Sequence, residues 1–109
     1  MSDIYQTALD CYNDEENQYD GKYDCSGFVA YCYGKKGKTV PHSSAGIWNQ
    51  GSNGDGSAGD IACWDGHVGI TDGRGNVIHS YHDDHSICKD SISDVSEWDK
   101  RTFKGYKRF

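Results

Sequence analysis

Tyr23-Asp24-Cys25-Ser26-Gly27-Phe28-Val29-Ala30-Tyr31-Cys32-Tyr33 is the stretch on which the reading of the fold turns. Cys25, Phe28, Val29, Cys32 and Tyr33 recur at i, i+3, i+4, i+7 and i+8, one stripe of an α-helix. Asp24 is a good N-cap for that helix, and Gly34 or Gly37 can close its other end. Cys25 therefore opens a helix. Free backbone N–H groups and the helix dipole favour negative charge there, so the position is expected to favour the thiolate. Gly27 is expected to leave room for a substrate backbone to approach. A cysteine on an apolar stripe is more often a small buried residue than a nucleophile. The choice depends on what the rest of the chain supplies.

Working outward, Ile4 to about Tyr12 reads as a short amphipathic helix, and the polar segment from Asn13 to Tyr23 as a loop. Ser43 or Ser44 can cap a second short helix through Ile47 and Trp48, and a Gly/Ser-rich loop runs from Gly51 to Gly59. Beyond it the apolar period shifts toward two. Ile61 to Trp64, His67 to Thr71, Asn76 to Tyr81, Ser86 to Cys88 and Phe103 to Phe109 read as strands. Asp65-Gly66 and Asp72-Gly73-Arg74-Gly75 are hairpin turn signals between them. Helices first and an antiparallel meander after them make an α+β fold, expected as one domain over residues 1–109.

Two histidines stand where such a fold could use them. His67 opens one strand and His79 lies in the next, at an even separation. Side chains alternate along a strand, so an odd-length loop puts both rings on one face of the hairpin. A loop of Asp72-Gly73-Arg74 opposes His67 to His79; a loop of Gly73-Arg74-Gly75 opposes His67 to Tyr81. Gly75 suits the second, as the left-handed residue after a type I turn. A two-residue loop at Gly73-Arg74 would send His79 to the far face. We expect an odd loop, both rings on the Cys25 side, and His67 nearer the sulfur. Cys25 as nucleophile, His67 as base and His79 as its orienting partner is the relay of a Cys–His hydrolase.

These motifs resemble the NlpC/P60 cysteine peptidases. Residues 23 to 29 are similar to that family's nucleophile motif. Gly59-Asp60-Ile61 with His67-Val68-Gly69-Ile70 resembles the strand pair bearing its catalytic His, and Val77-Ile78-His79-Ser80 the strand bearing its third polar residue. Val40-Pro41-His42-Ser43-Ser44 resembles its linker into the second helix, and Gly105-Tyr106-Lys107-Arg108-Phe109 its last strand. The resemblance implies a papain-like core, with the nucleophile helix packed on an antiparallel sheet. It also implies cleavage of peptidoglycan stem peptides, often at the D-glutamyl to diamino acid bond. It implies a Tyr that helps shape the oxyanion site, a role for which Tyr12 and Tyr19 compete beside the Cys25 backbone N–H. Asp24 and Ser26 flank the nucleophile as substrate-binding candidates, and Trp48 lies in a segment that could line the cleft. An amidase, acyltransferase or deamidase could use the same Cys–His pair, and a non-enzymatic module could borrow the fold.

Composition narrows the partners. The net charge of -6 argues against nucleic acid or an anionic membrane, since both need a basic face. No basic stretch followed by an apolar run opens the chain, so no signal peptide is expected. Synthesis in the cytoplasm and action on the cell wall after release or delivery are expected, as of a phage lysin or an interbacterial effector. A monomer with an immunity or delivery partner fits that setting. The five cysteines show no C-x-x-C, and no structural disulfide is expected. His82, Asp83, Asp84 and His85 are read as a solvated turn after the strand rather than a metal site, and no cofactor is expected.

Overall fold

In the computed structural model the described residues are 3–81 and 83–109. Three helices come first: α1 (Asp3–Tyr12), α2 (Cys25–Gly34) and α3 (Ser44–Gln50). The strands are β1 (Ser52–Asn53), β2 (Ile61–Trp64), β3 (His67–Thr71), β4 (Asn76–Tyr81), β5 (Ser86–Ser91) and β6 (Phe103–Arg108), with α4 (Ile92–Asp99) between the last two. They form one six-stranded sheet in the order β1-β6-β2-β3-β4-β5, antiparallel throughout. The α+β reading holds, and so do the boundaries of β2, β3 and β4.

Three features go beyond the expected meander. The meander is β2 to β5 only; β6 returns across the sheet to pair with β2. The Gly/Ser-rich loop contributes the two-residue β1, which pairs with the end of β6. The segment after Cys88 extends β5 to Ser91 and then forms α4, which the apolar pattern did not reveal. Its start is marked by Ser91, whose hydroxyl accepts the Asp94 N–H at 3.1 Å. The S-x-x-D spacing of Ser91 and Asp94 is a capping signature that could have announced the helix.

Strand alternation sorts the sheet's two faces. Ile61, Cys63, Val68, Ile70, Ile78 and Ile87 join Ala8, Phe28, Val29, Cys32, Tyr33 and Ile47 in the main core, so α1, α2 and α3 cover one face. Ala62, Trp64 and Val77 point the other way and pack with Ile92 and Val95 of α4. The helix stripe behaves as the periodicity requires: Phe28, Val29, Cys32 and Tyr33 are buried, and Cys25, at its exposed end, is half-buried. Helix α2 is tied to the sheet side by the Tyr33 hydroxyl, which donates to the Gly59 carbonyl at 2.8 Å.

Candidate active site

The first turn of α2 is built by Asp24. Its carboxylate accepts the Gly27 N–H at 2.7 Å, a side-chain N-cap, and contacts His42 Nε2 at 2.9 Å. Burial alone would raise the Asp24 carboxyl, but the hydrogen bonds from His42 and the Gly27 N–H outweigh it and hold the group below its ordinary value. Gly27 does not open space for substrate. A Cβ there would meet Asp24 Oδ1 at 2.7 Å and His42 Nε2 at 2.9 Å, so the glycine makes room for the capping pair instead. The residue before the cap is also anchored: the Ser80 hydroxyl of β4 donates to the Tyr23 carbonyl. This bond couples the helix start to the strand that carries His79.

The β3–β4 hairpin has the register Ile70↔Ile78 and Thr71↔Val77, which extends to oppose His67 to Tyr81. The Asp72 N–H donates to the Asn76 carbonyl at 3.1 Å, leaving the three-residue loop Gly73-Arg74-Gly75, with Gly75 at φ +85°. The odd loop puts both imidazoles on one face, as expected. His67 Nε2 lies 2.7 Å from His79 Nδ1, and both residues are buried. Tyr81 packs on the pair, its ring centroid 4.8 Å from His79 and 5.5 Å from His67, while Trp64 flanks His67 at 5.4 Å.

Which face carries the rings differs from expectation. His67 is paired with Trp64, so both histidines lie on the α4 side of the sheet, not on the α2 side. Alternation forces this, because Val68 and Ile70 occupy the positions that pack on α2. Cys25 instead meets the sheet at the start of β3. The backbone N–H of Val68, the residue after His67, acts on the Cys25 sulfur together with that of Ser26. One open cleft of about 700 Å³ has Cys25, His67, Ser80 and Tyr81 among its lining residues. Arg101 and Gly66 also line it, as do Asp24 and the exposed turn residues Asp83, Asp84 and His85. The turn is exposed as expected; His82 lies outside the described residues.

The electrostatics of Cys25 run against the simple helix-start argument. Burial pushes its thiol up, and nearby Asp24 adds to this; the Val68 and Ser26 N–H groups and Arg101 pull it down without reversing the sign. The resting sulfur therefore keeps its proton, and the His67 ring lines the same cleft. The other four thiols are pushed far up by burial: Cys11 and Cys88 to about 11, Cys63 to about 12, and Cys32 further still. All five cysteines are free.

Several candidates sit apart from the cleft. Tyr12 ends α1 and is 40% exposed, and Tyr19 packs against Tyr31 with ring centroids 5.8 Å apart. Neither lines the cleft. Ser26 is buried beneath the helix start, leaving Asp24 as the flanking residue on the cleft wall. Trp48 faces β6 instead, with Lys104 and Lys107 ammonium groups 4.9 and 4.5 Å from its ring. Two residues of the site were missed. Gly69 opposes His79, and a Cβ on it would meet His79 Cβ at 2.8 Å, so the glycine makes the cavity for that ring. Asp90 on β5 lies 2.9 Å, by Oδ2, from His79 Nε2. Only the strand register could have revealed either. Among the described residues, no group of three or more His, Cys, Asp or Glu is placed to hold a metal ion.

The NlpC/P60 family profile matches residues 12–107. The chain belongs to the NlpC/P60 family. A probable endopeptidase of Corynebacterium glutamicum is 37% identical over 76 residues, 64% of this chain and 36% of that relative. The match thus spans about a third of the relative's length. The NlpC/P60 domain of the peptidoglycan hydrolase SagA superposes with a TM-score of 0.68 at 22% identity, covering 98% of this chain and 97% of that one. RipD of Mycobacterium tuberculosis, a non-catalytic NlpC/P60 domain protein adapted to peptidoglycan binding, has a TM-score of 0.57 at 21% identity, covering 64% and 57%. At these identities the two structures speak to the fold, which is the NlpC/P60 fold.

Proposed function

We propose that this NlpC/P60 chain is a cysteine peptidase that hydrolyses amide bonds in peptidoglycan stem peptides, at the D-glutamyl to diamino acid bond. The observation that carries the reading is the cleft shared by Cys25 and His67, with His67 held at 2.7 Å by His79. His67 takes the thiol proton as the sulfur attacks the amide carbonyl, which supplies the thiolate that burial withholds at rest. The Cys25 backbone N–H, in the first turn of α2 where N–H groups have no intrahelical acceptor, receives the oxyanion. His67 then gives the proton to the leaving amine, and water activated by the same ring hydrolyses the thioester. The cleft's mixed charge, Arg101 against Asp24, Asp83 and Asp84, suits a peptide bearing both carboxylates and an amine. The probable endopeptidase of Corynebacterium supports the reaction, and the SagA peptidoglycan hydrolase supports the substrate class. The cell wall is the proposed place of action, reached as a phage lysin or a delivered effector. Among the described residues no helix is long and apolar enough to cross a membrane.

The test is mass spectrometry of purified wall fragments incubated with wild type and Cys25→Ala. Wild type should convert stem peptides into pairs of products that together exceed the parent by one water, and the variant should leave them intact. Intact fragments with wild type would count against hydrolysis and for a binding role like that of RipD. Products joined to an added amine would reassign the chain as an acyltransferase.

A further inference from the structure

The relay does not stop at His79. That ring is fully buried and makes polar contacts at both nitrogens: Nδ1 to His67 Nε2 at 2.7 Å, and Nε2 to Asp90 Oδ2 at 2.9 Å. Asp90 is reached because β5 pairs with β4 in the register His79↔Cys88 and Val77↔Asp90. Paired residues share a face, so Asp90 stands diagonally across from His79 on the face that carries both rings. Its side chain is 20% exposed, at the rim of this buried row.

The proton positions follow from donor and acceptor chemistry. A carboxylate can only accept, so His79 Nε2 must carry the proton. A neutral His79 then has a lone pair at Nδ1, which obliges His67 to donate from Nε2. A neutral His67 protonated at Nε2 has its lone pair at Nδ1, the one arrangement in which it can take the Cys25 proton. Without the carboxylate, His79 can equally hold its proton at Nδ1 and donate it to His67 Nε2. His67 would then carry its own proton at Nδ1 and could not act as base. We infer that Asp90 is a positioning residue that sets the tautomers of His79 and His67 and so makes His67 the base for Cys25. The assignment rests on the reading of Cys25 and His67 as nucleophile and base. When His67 becomes an imidazolium, the same carboxylate, two hydrogen bonds away, lies on the side that stabilises the new charge.

The test uses the full chain as Asp90→Ala and Asp90→Asn, each checked for a wild-type thermal melt. Two readouts need no wall substrate. One is two-bond proton–nitrogen NMR correlation on histidine-labelled protein, which reports the ring nitrogen that carries each proton. The other is the rate of Cys25 alkylation by iodoacetamide at neutral pH. In wild type, His67 and His79 should both be protonated at Nε2. Asp90→Ala should move His67 wholly or partly to the Nδ1–H form and slow alkylation roughly 10- to 100-fold, the range of losing a hydrogen bond to a charged group. Asp90→Asn should slow it less, about 3- to 10-fold, because an amide oxygen accepts without a charge. Where turnover is measured, kcat should fall with KM nearly unchanged. If either folded variant keeps the wild-type tautomers and alkylation rate, the assignment is overturned. A wild-type chain that leaves wall fragments uncut would refute the proposed substrate, while the tautomer spectrum would still decide the role of Asp90.

Discussion

Replacing Gly69 with alanine adds one methyl group at the point where β3 and β4 make room for His79. The new Cβ would lie 2.4 Å from Val77 Cγ2, 2.8 Å from His79 Cβ and 3.2 Å from the Ile78 carbonyl oxygen. Carbon atoms need about 3.5–4.0 Å, so one or both side chains must move by roughly 1 Å. Val77 and Ile78 are fully buried and cannot swing into solvent, so the strain is shared by the hairpin and the His79 ring. Overpacking of this kind costs about 1–3 kcal/mol, which for a domain of this size lowers Tm by roughly 5–20 °C. The catalytic effect is separate. Moving His79 breaks or lengthens its 2.7 Å contact with His67. Loss of a hydrogen bond to a group that becomes charged, about 1.5–3 kcal/mol, predicts a fall in kcat on the order of 10- to 100-fold. The assay is turnover of wall fragments well below the variant's melting temperature, alongside a thermal melt. Gly75→Ala is the control: nothing lies near its new Cβ, but φ is +85°, so it should lose about 1–2 kcal/mol of stability and keep its kcat. A Gly69→Ala enzyme with wild-type kcat and an unchanged melt would refute the argument that this glycine makes the place for His79.

Three further outcomes are expected. Iodoacetamide at neutral pH should label Cys25 well before Cys11, Cys32, Cys63 or Cys88, because burial holds those four far above their ordinary values; equal labelling in the folded protein would exclude a catalytic Cys25. His67→Ala should lower kcat by at least about 10²-fold, the scale of lost general-base catalysis. His79→Asn should retain part of the activity, since an amide can still accept from His67; equal losses in a matched kinetic series would contradict the division of roles. Asp24→Ala should cost about 1 kcal/mol at neutral pH through the lost N-cap. Because the folded Asp24 carboxyl lies below its ordinary value, this contribution is complete above about pH 4–5 and fades as acid protonates the folded group. Melts at pH 7 and about pH 2 should therefore show the gap between Asp24→Ala and wild type closing in acid.

Much of the site was legible because its parts obey short-range periodicities. A helix repeats every 3.6 residues and a strand every two, so Cys25 at a helix start and two histidines on one hairpin face could be read from spacing and from Gly75. What failed were inferences that needed a third element. Helix α4 is not legible from periodicity because only Ile92 and Val95 form its apolar side, too few to make a stripe. Gly27 reads from sequence as space for substrate, but His42, fifteen residues on, occupies the space above it. The same limit applied to Tyr12, Tyr19 and Trp48, whose positions depend on how α1, the loop before α2, and β6 pack.

The sequence by itself determined the helix that begins at Cys25, the strands around His67 and His79, and the parity that keeps those rings together. Each follows from backbone geometry over a dozen residues or fewer. Tertiary structure alone decided which sheet face the rings occupy, because that depends on which alternate set of side chains, Val68 and Ile70 or His67 and Gly69, the helix layer buries. It alone placed Asp90 against His79, through the pairing of β4 with β5. It also decided how readily Cys25 ionises: the helix start favours a thiolate locally, but burial of the sulfur in the packed chain pushes the thiol up more than the nearby Val68 and Ser26 N–H groups pull it down.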